Sequence, residues 1–176
     1  MVVGEKYRSK NREQIIVEQP YHIQYRHSFG EVSKFFKGLH EKKLYGTICR
    51  GKEHHMSGED NLFVPPRADC PECMVPLEEW IELQNEDIRV YTFTTMYFSG
   101  ENFLDKLPLT LINVEFPRYN NNYSKLISIL ITNEKDEINI DKKDLKIGMK
   151  IKPKFKEMPL EKIDASALYF VPAGIL

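Results

Sequence analysis

Cys70-Pro71-Glu72-Cys73 decides how the first half of this chain is read. Two thiolates three apart on a tight turn can share one tetrahedral ion, and the stretch is half of a zinc ribbon. The other half is expected about 15–20 residues upstream, as a second pair of the same spacing. What stands there is Cys49-Arg50-Gly51-Lys52, so a lysine takes the place of the second thiol. A protonated ammonium has no lone pair to give a metal. His54 and His55 follow, and either imidazole can complete a set of three cysteines and one histidine with Cys49, Cys70 and Cys73. Four protein ligands would close the coordination sphere and make the zinc structural, not catalytic. The alternatives are a ribbon that has lost its metal and survives by packing on a partner, and a redox pair at Cys70 and Cys73. The redox pair lacks the βαβ setting in which such pairs work.

Around this motif, residues 47–80 hold all three cysteines, Pro65-Pro66, Pro71 and Pro76, and show little periodicity. Such a segment buries little apolar area, so something other than a core must hold it together. Upstream, Ser28-Phe29-Gly30-Glu31 reads as a capping box, with the Ser28 hydroxyl taking the amide of Glu31. Val32, Phe35, Phe36 and Leu39 then recur at helical spacing, which predicts an amphipathic helix over 28–43. Lys42 and Lys43 suit its C-terminus, and Gly46 follows as a stop. Residues 1–20 mix charges with Val2, Val3, Ile15, Ile16 and Val17 without a firm period and read as an extended arm ordered by docking. Of the aromatics Tyr21, Tyr25, Phe29, Phe35 and Phe36, half should face the core and half a partner.

Downstream the pattern turns to strands. Arg89–Phe98, Leu109–Phe116 and Tyr123–Thr132 are rich in β-branched and aromatic residues, with Asn120-Asn121-Asn122 as the turn between the last two. From Met149 to Phe155 apolar residues alternate with lysines, and a last strand falls at about 165–171. Five or six strands fit a small closed antiparallel barrel.

Composition narrows the function classes. Lys+Arg (25) nearly cancels Asp+Glu (26), and a net charge of −1 argues against a general nucleic-acid binder. The first residues carry no apolar leader, and no stretch approaches the ~18 apolar residues a spanning helix needs. The expectation is a soluble cytoplasmic chain with no membrane partner. An odd cysteine count with one C-x-x-C favours a metal site in a reducing compartment over disulfides. No nucleophile elbow, phosphate loop or metalloprotease helix is present, so no catalytic residue is assigned.

In order and spacing, these pieces resemble a family of thiolase-associated proteins built from an N-terminal helix, a rubredoxin-like zinc ribbon and a C-terminal OB-fold. The resemblance spans about residues 28–156. It rests on Phe35-Phe36-Lys37-Gly38-Leu39, Cys49, Phe63-Val64-Pro65-Pro66-Arg67, Cys70-Pro71-Glu72-Cys73, Glu79-Trp80, Val90-Tyr91-Thr92-Phe93-Thr94 and Leu145-Lys146-Ile147-Gly148-Met149-Lys150-Ile151. It implies an α+β, mainly β, fold divided into arm and helix (1–46), ribbon (47–82) and OB barrel (83–176). Lys52 in place of the second cysteine and an insertion running roughly from His54 to Asn61 depart from the family pattern.

The resemblance also implies a role. Family members occur in archaeal complexes that make acetoacetyl-CoA and hydroxymethylglutaryl-CoA. Others accompany phloroglucinol acyltransferases, steroid side-chain aldolases and the benzoylsuccinyl-CoA thiolase of anaerobic toluene breakdown. The long arm and altered ribbon lean toward the last. The expectation is therefore a hetero-oligomer in which a thiolase-like subunit supplies the nucleophile and this chain helps shape the acyl-CoA site. Lys150, Lys152 and Lys154 are candidates for the phosphates of coenzyme A, or else form a solvated strand edge. The runner-up is a single-stranded nucleic-acid-binding OB protein, with Tyr91, Phe93, Tyr97 and Phe98 stacking bases. Aromatics alternating in a strand more often serve as core and partner contacts.

Overall fold

A computed structural model of the chain describes residues 26–98, 107–119, 121–131 and 145–174. The expected N-terminal arm, with Tyr21 and Tyr25, lies outside them. A 3-10 turn at Gly30–Val32 leads into helix α1, Ser33–His40. The helix starts later than the periodicity predicts because Gly30 sits in the left-handed region, with φ of 56°. The Ser28 hydroxyl consequently accepts from the Gly30 amide at 3.0 Å, and not from that of Glu31. At the other end the helix closes at His40, and Lys42, with φ of 62°, turns the chain and lets the Lys43 amide donate to the Gly38 carbonyl at 2.7 Å. Gly46 is not the stop. It lies inside the first strand, where an added Cβ would come within 3.0 Å of Val64 and of the Phe63 carbonyl.

That strand is β1, Tyr45–Cys49, and it pairs antiparallel with both β2, Asn61–Phe63, and β3, Trp80–Glu82. The second half of the chain gives β4 (Ile88–Met96), β5 (Leu109–Glu115), β6 (Asn121–Ser124), β7 (Ile127–Leu130), β8 (Lys150–Phe155) and β9 (Leu168–Pro172). Five of them close a barrel in the order β4-β5-β7-β9-β8. The expected barrel was antiparallel throughout, but β7 and β9 run parallel. A ring with an odd number of strands cannot alternate direction all the way round, so one parallel pair is forced.

The predicted strand at Tyr123–Thr132 is divided. Its first part, β6, leaves the barrel and pairs parallel with β2, extending the ribbon sheet to β3-β1-β2-β6. The chain turns before the expected asparagine run, with the Tyr119 amide donating to the Phe116 carbonyl at 2.9 Å. Tyr123 then packs its ring on Phe63, 5.2 Å between centroids, and the Ser124 hydroxyl accepts from the Val64 amide at 3.0 Å.

One apolar core runs through both bodies. It joins Phe35 and Leu39 of the helix to Leu44, Leu62, Val64 and Leu83, and continues into Val90, Ile112, Leu130 and Phe170 of the barrel. Phe36 stacks on Phe29 with 3.6 Å between ring centroids. Because successive strand residues face opposite sides, Leu62 and Val64 serve this core while Phe63 joins a separate small cluster with Cys49, Cys70 and Leu77. Strand β4 pairs with β8 only at Ile88 and Arg89 and, past an irregularity between Val90 and Thr92, runs on with β5 alone. Its aromatics Tyr91 and Phe93, and Tyr97 and Phe98 just past its end, are exposed and do not contribute to the core. Among the described residues no helix is long and apolar enough to cross a membrane. Among the described residues the fold is mainly β with one short helix and two sheets, as the sequence predicts.

Leu39 is fully buried where helix, ribbon and barrel meet. Leu39→Ala should lower unfolding free energy by about 2–5 kcal/mol, read by urea titration.

Candidate metal centre

The end of β1 delivers Cys49, and the knuckle after β2 delivers Cys70 and Cys73. The knuckle is closed by its own backbone: the Met74 amide donates to the Cys70 carbonyl at 2.8 Å, and the Cys70 amide to the Val75 carbonyl at 2.9 Å. Met74 takes a left-handed conformation (φ 57°) to make that turn. A fourth donor arrives from the inserted loop. After a 3-10 turn at Lys52–His54 the chain folds back, with Gly58 at φ 69° and its amide on the His55 carbonyl at 3.0 Å.

This loop distinguishes the two histidines. His55 is buried, 6% exposed, and its Nδ1 lies 2.6 Å from the Glu59 carbonyl. A carbonyl only accepts, so Nδ1 carries the proton and Nε2 keeps its lone pair. That lone pair faces Cys70 Sγ at 3.6 Å. A carbonyl partner on the far ring nitrogen is the usual way a ligating imidazole is oriented. His54, one residue earlier, has a side chain 69% exposed and turns to Glu53. The donor atoms of Cys49, His55, Cys70 and Cys73 all lie within 4.8 Å of one another, and His54 is outside the group.

The donor set fits a tetrahedral zinc. Zinc–sulfur bonds of about 2.3 Å and zinc–nitrogen bonds of about 2.0–2.1 Å give tetrahedral edges of about 3.8 Å between sulfurs and about 3.6 Å between sulfur and nitrogen. The Cys49 and Cys73 sulfurs are 3.7 Å apart, and Cys70 Sγ is 3.6 Å from His55 Nε2. Crowding in the site shifts the titration of all four groups. Burial, together with the neighbouring Cys49 and Cys70 sulfurs, pushes the Cys73 thiol up to about 12. Burial also raises Cys49. Burial works against ionisation of Cys70 too, but the amides of Cys73 and Glu72 outweigh it and bring that thiol down to about 7. For His55, burial is outweighed by the Glu59 carbonyl and the Cys70 sulfur, and its pKa rises. At Cys73 burial and both neighbouring sulfurs oppose ionisation, and a divalent cation would relieve that opposition.

Two solved structures are similar to this chain in overall fold. A protein of unknown function of the DUF35 family from Sulfolobus solfataricus aligns with TM-score 0.53 and 22% identity, over 81% of this chain and 86% of its own. The Ltp2-ChsH2(DUF35) aldolase aligns with TM-score 0.56 and 17% identity, over 84% of this chain and 99% of its own. The fold is the DUF35 fold. No family model matches the chain, and no curated protein does.

Within the DUF35 fold, several residues that support this centre were not singled out in the sequence. Arg50 grips Glu79 through Nη2 at 2.6 Å and Asp60 through Nη1 at 2.8 Å, pinning the end of the inserted loop to the residue just before β3. Buried Asn61 donates to Glu72 at 2.8 Å and ties the knuckle to β2. The available signal was charge: an arginine directly after Cys49 and an aspartate closing the insertion. Lys150, Lys152 and Lys154 lie on the solvent side of β8 in the barrel, and Lys150 sits 3.7 Å from Asp87. The structure does not bring them to the cysteine group.

The two histidines make opposite predictions. His55→Ala should reduce zinc retained after gel filtration several-fold, whereas His54→Ala should leave it at the parent level, both read by elemental analysis.

Proposed function

We propose that this chain is an accessory subunit of a thiolase-type acyl-CoA enzyme. A structural zinc, held by Cys49, His55, Cys70 and Cys73, would fix its ribbon. The observation that carries the reading is the joined ribbon and barrel, an architecture shared with a DUF35 chain that belongs by name to an aldolase with a second component, Ltp2. Bound zinc would supply structural cross-linking only, because four protein ligands leave no open position for substrate. On this reading the ribbon (47–82) and helix clamp the enzyme subunit, and the barrel (83–176) lies near the acyl-CoA entrance.

The geometry supports a docking role in a second way. Tyr91 and Phe93 stand exposed on β4, with Tyr97 and Phe98 just beyond its end, Phe98 being 88% exposed. Aromatic side chains in that position favour burial against a partner. Lys152 and Lys154 present ammonium groups on the barrel's outer side, available to the phosphates of coenzyme A. The benzoylsuccinyl-CoA thiolase of toluene breakdown is the specific complex the sequence resemblance favours, through this chain's long arm and altered ribbon.

A second reading, a single-stranded nucleic-acid binder, is favoured by the same exposed aromatics, with Lys125 placed 4.2 Å over the Tyr91 ring. One experiment separates the two. Affinity purification of the chain from its native cells should recover a thiolase-like protein in stoichiometric amount. Recovery of the chain alone, or with nucleic acid, would overturn the accessory reading.

A further inference from the structure

The four donors of the metal centre are not equally shielded. Cys70 is fully buried and Cys49 is 4% exposed, whereas Cys73 is only partly covered. Cys49 and Cys73 both line a surface cleft of about 300 Å³, together with Gly51, His54, Val75 and Pro76. Cys70 and His55 do not line it. Gly51 keeps the thiols open to the cleft: a Cβ there would lie 3.0 Å from Cys73 Sγ and 3.6 Å from Cys49 Sγ. The two sulfurs that share the cleft are also close neighbours, 3.7 Å apart.

We propose that Cys73 is an oxidant-modification site for small peroxides, with Cys49, and not the sequence neighbour Cys70, as its resolving partner. This rests on the zinc reading above. Cys73, ionised as a metal ligand must be, attacks a peroxide oxygen as the thiolate; the O–O bond breaks, and the products are the Cys73 sulfenic acid and hydroxide or alkoxide. The Cys49 thiolate then attacks the sulfenic sulfur. An S–S bond forms, the S–O bond breaks, and the departing hydroxide takes a proton to become water. The two sulfurs lose two electrons, and the peroxide gains them. Two donors, Cys70 and His55, remain of the four, too few for a structural zinc site. A thiol reductant would return both ligands, making the step reversible.

The C-x-x-C pairing is the natural expectation from sequence alone, and the structure disfavours it. Cys70 Sγ is fully buried and turned into the protein beside His55 Nε2, 3.6 Å away. A reagent in the cleft reaches Cys73 first, and the sulfur facing it across the cleft is Cys49.

The test uses the full chain, with zinc measured before any treatment. Hydrogen peroxide is then added in the presence of a zinc-responsive dye, and disulfides are mapped by mass spectrometry after digestion with trypsin and a glutamate-specific protease. Cleavage after Glu72 separates Cys70 from Cys73 and so distinguishes the pairings. The expected result is release of one zinc per chain in step with a Cys49–Cys73 disulfide, both reversed by dithiothreitol and added zinc. Zinc present at the start but retained under peroxide, or release accompanied by a Cys70–Cys73 bond, would overturn the oxidation proposal and leave the zinc reading standing. Zinc absent at the start would overturn both.

Discussion

Three sulfurs and one imidazole nitrogen, gathered within 4.8 Å, are the constraint on which the ribbon half of this protein depends. Around them the apolar support is slight: Cys49, Phe63, Cys70 and Leu77, two of which are themselves donors. Without a shared cation, burial and mutual repulsion work against the very thiolates that would hold the knuckle to β1. With one, the knuckle, the end of β1 and the inserted loop are fastened at a single point. The hydrogen bond from His55 to the Glu59 carbonyl and the Arg50 grip on Asp60 and Glu79 shape the loop so that one histidine reaches the cluster.

The ribbon is also tied to the barrel in a way that loop-linked modules are not. Strand β6 lies between the barrel strands β5 and β7 in the chain, yet pairs with β2 of the ribbon sheet. Leu62 and Val64 on the inner side of β2 enter the same core as Val90, Ile112 and Phe170. Such a joint fixes the angle between the two bodies. On the proposed reading, it would let one body grip an enzyme while the other stands at a ligand entrance. Exposed aromatics on the β4 extension and lysines on β8 then occupy set positions relative to the ribbon.

The sequence made the donors partly legible and the joint not at all. Cys70 and Cys73 were visible because a C-x-x-C turn has few other uses, and Lys52 announced that a ligand had to come from elsewhere. The choice between His54 and His55 was hidden, because adjacent residues point apart and the choice is made by a loop closing on the Glu59 carbonyl. The helix was legible through Phe35 and Leu39, but its start was shifted by the left-handed Gly30 and its stop by Lys42, which periodicity does not encode. Tyr123 to Thr132 reads as one β-rich run. Its division depends on a partner strand, β2, far away in sequence, and no local pattern reports that pairing. Likewise Tyr91 and Phe93 alternate as core residues do, yet both stand in solvent on a part of β4 that β8 does not pair with.

The central claim is that the inserted loop supplies the fourth ligand. Zinc K-edge X-ray absorption on the purified full chain tests it most directly. The account predicts a first shell of three sulfurs at about 2.3 Å and one imidazole nitrogen at about 2.0–2.1 Å. A shell without imidazole, or one carrying oxygen in its place, would contradict it.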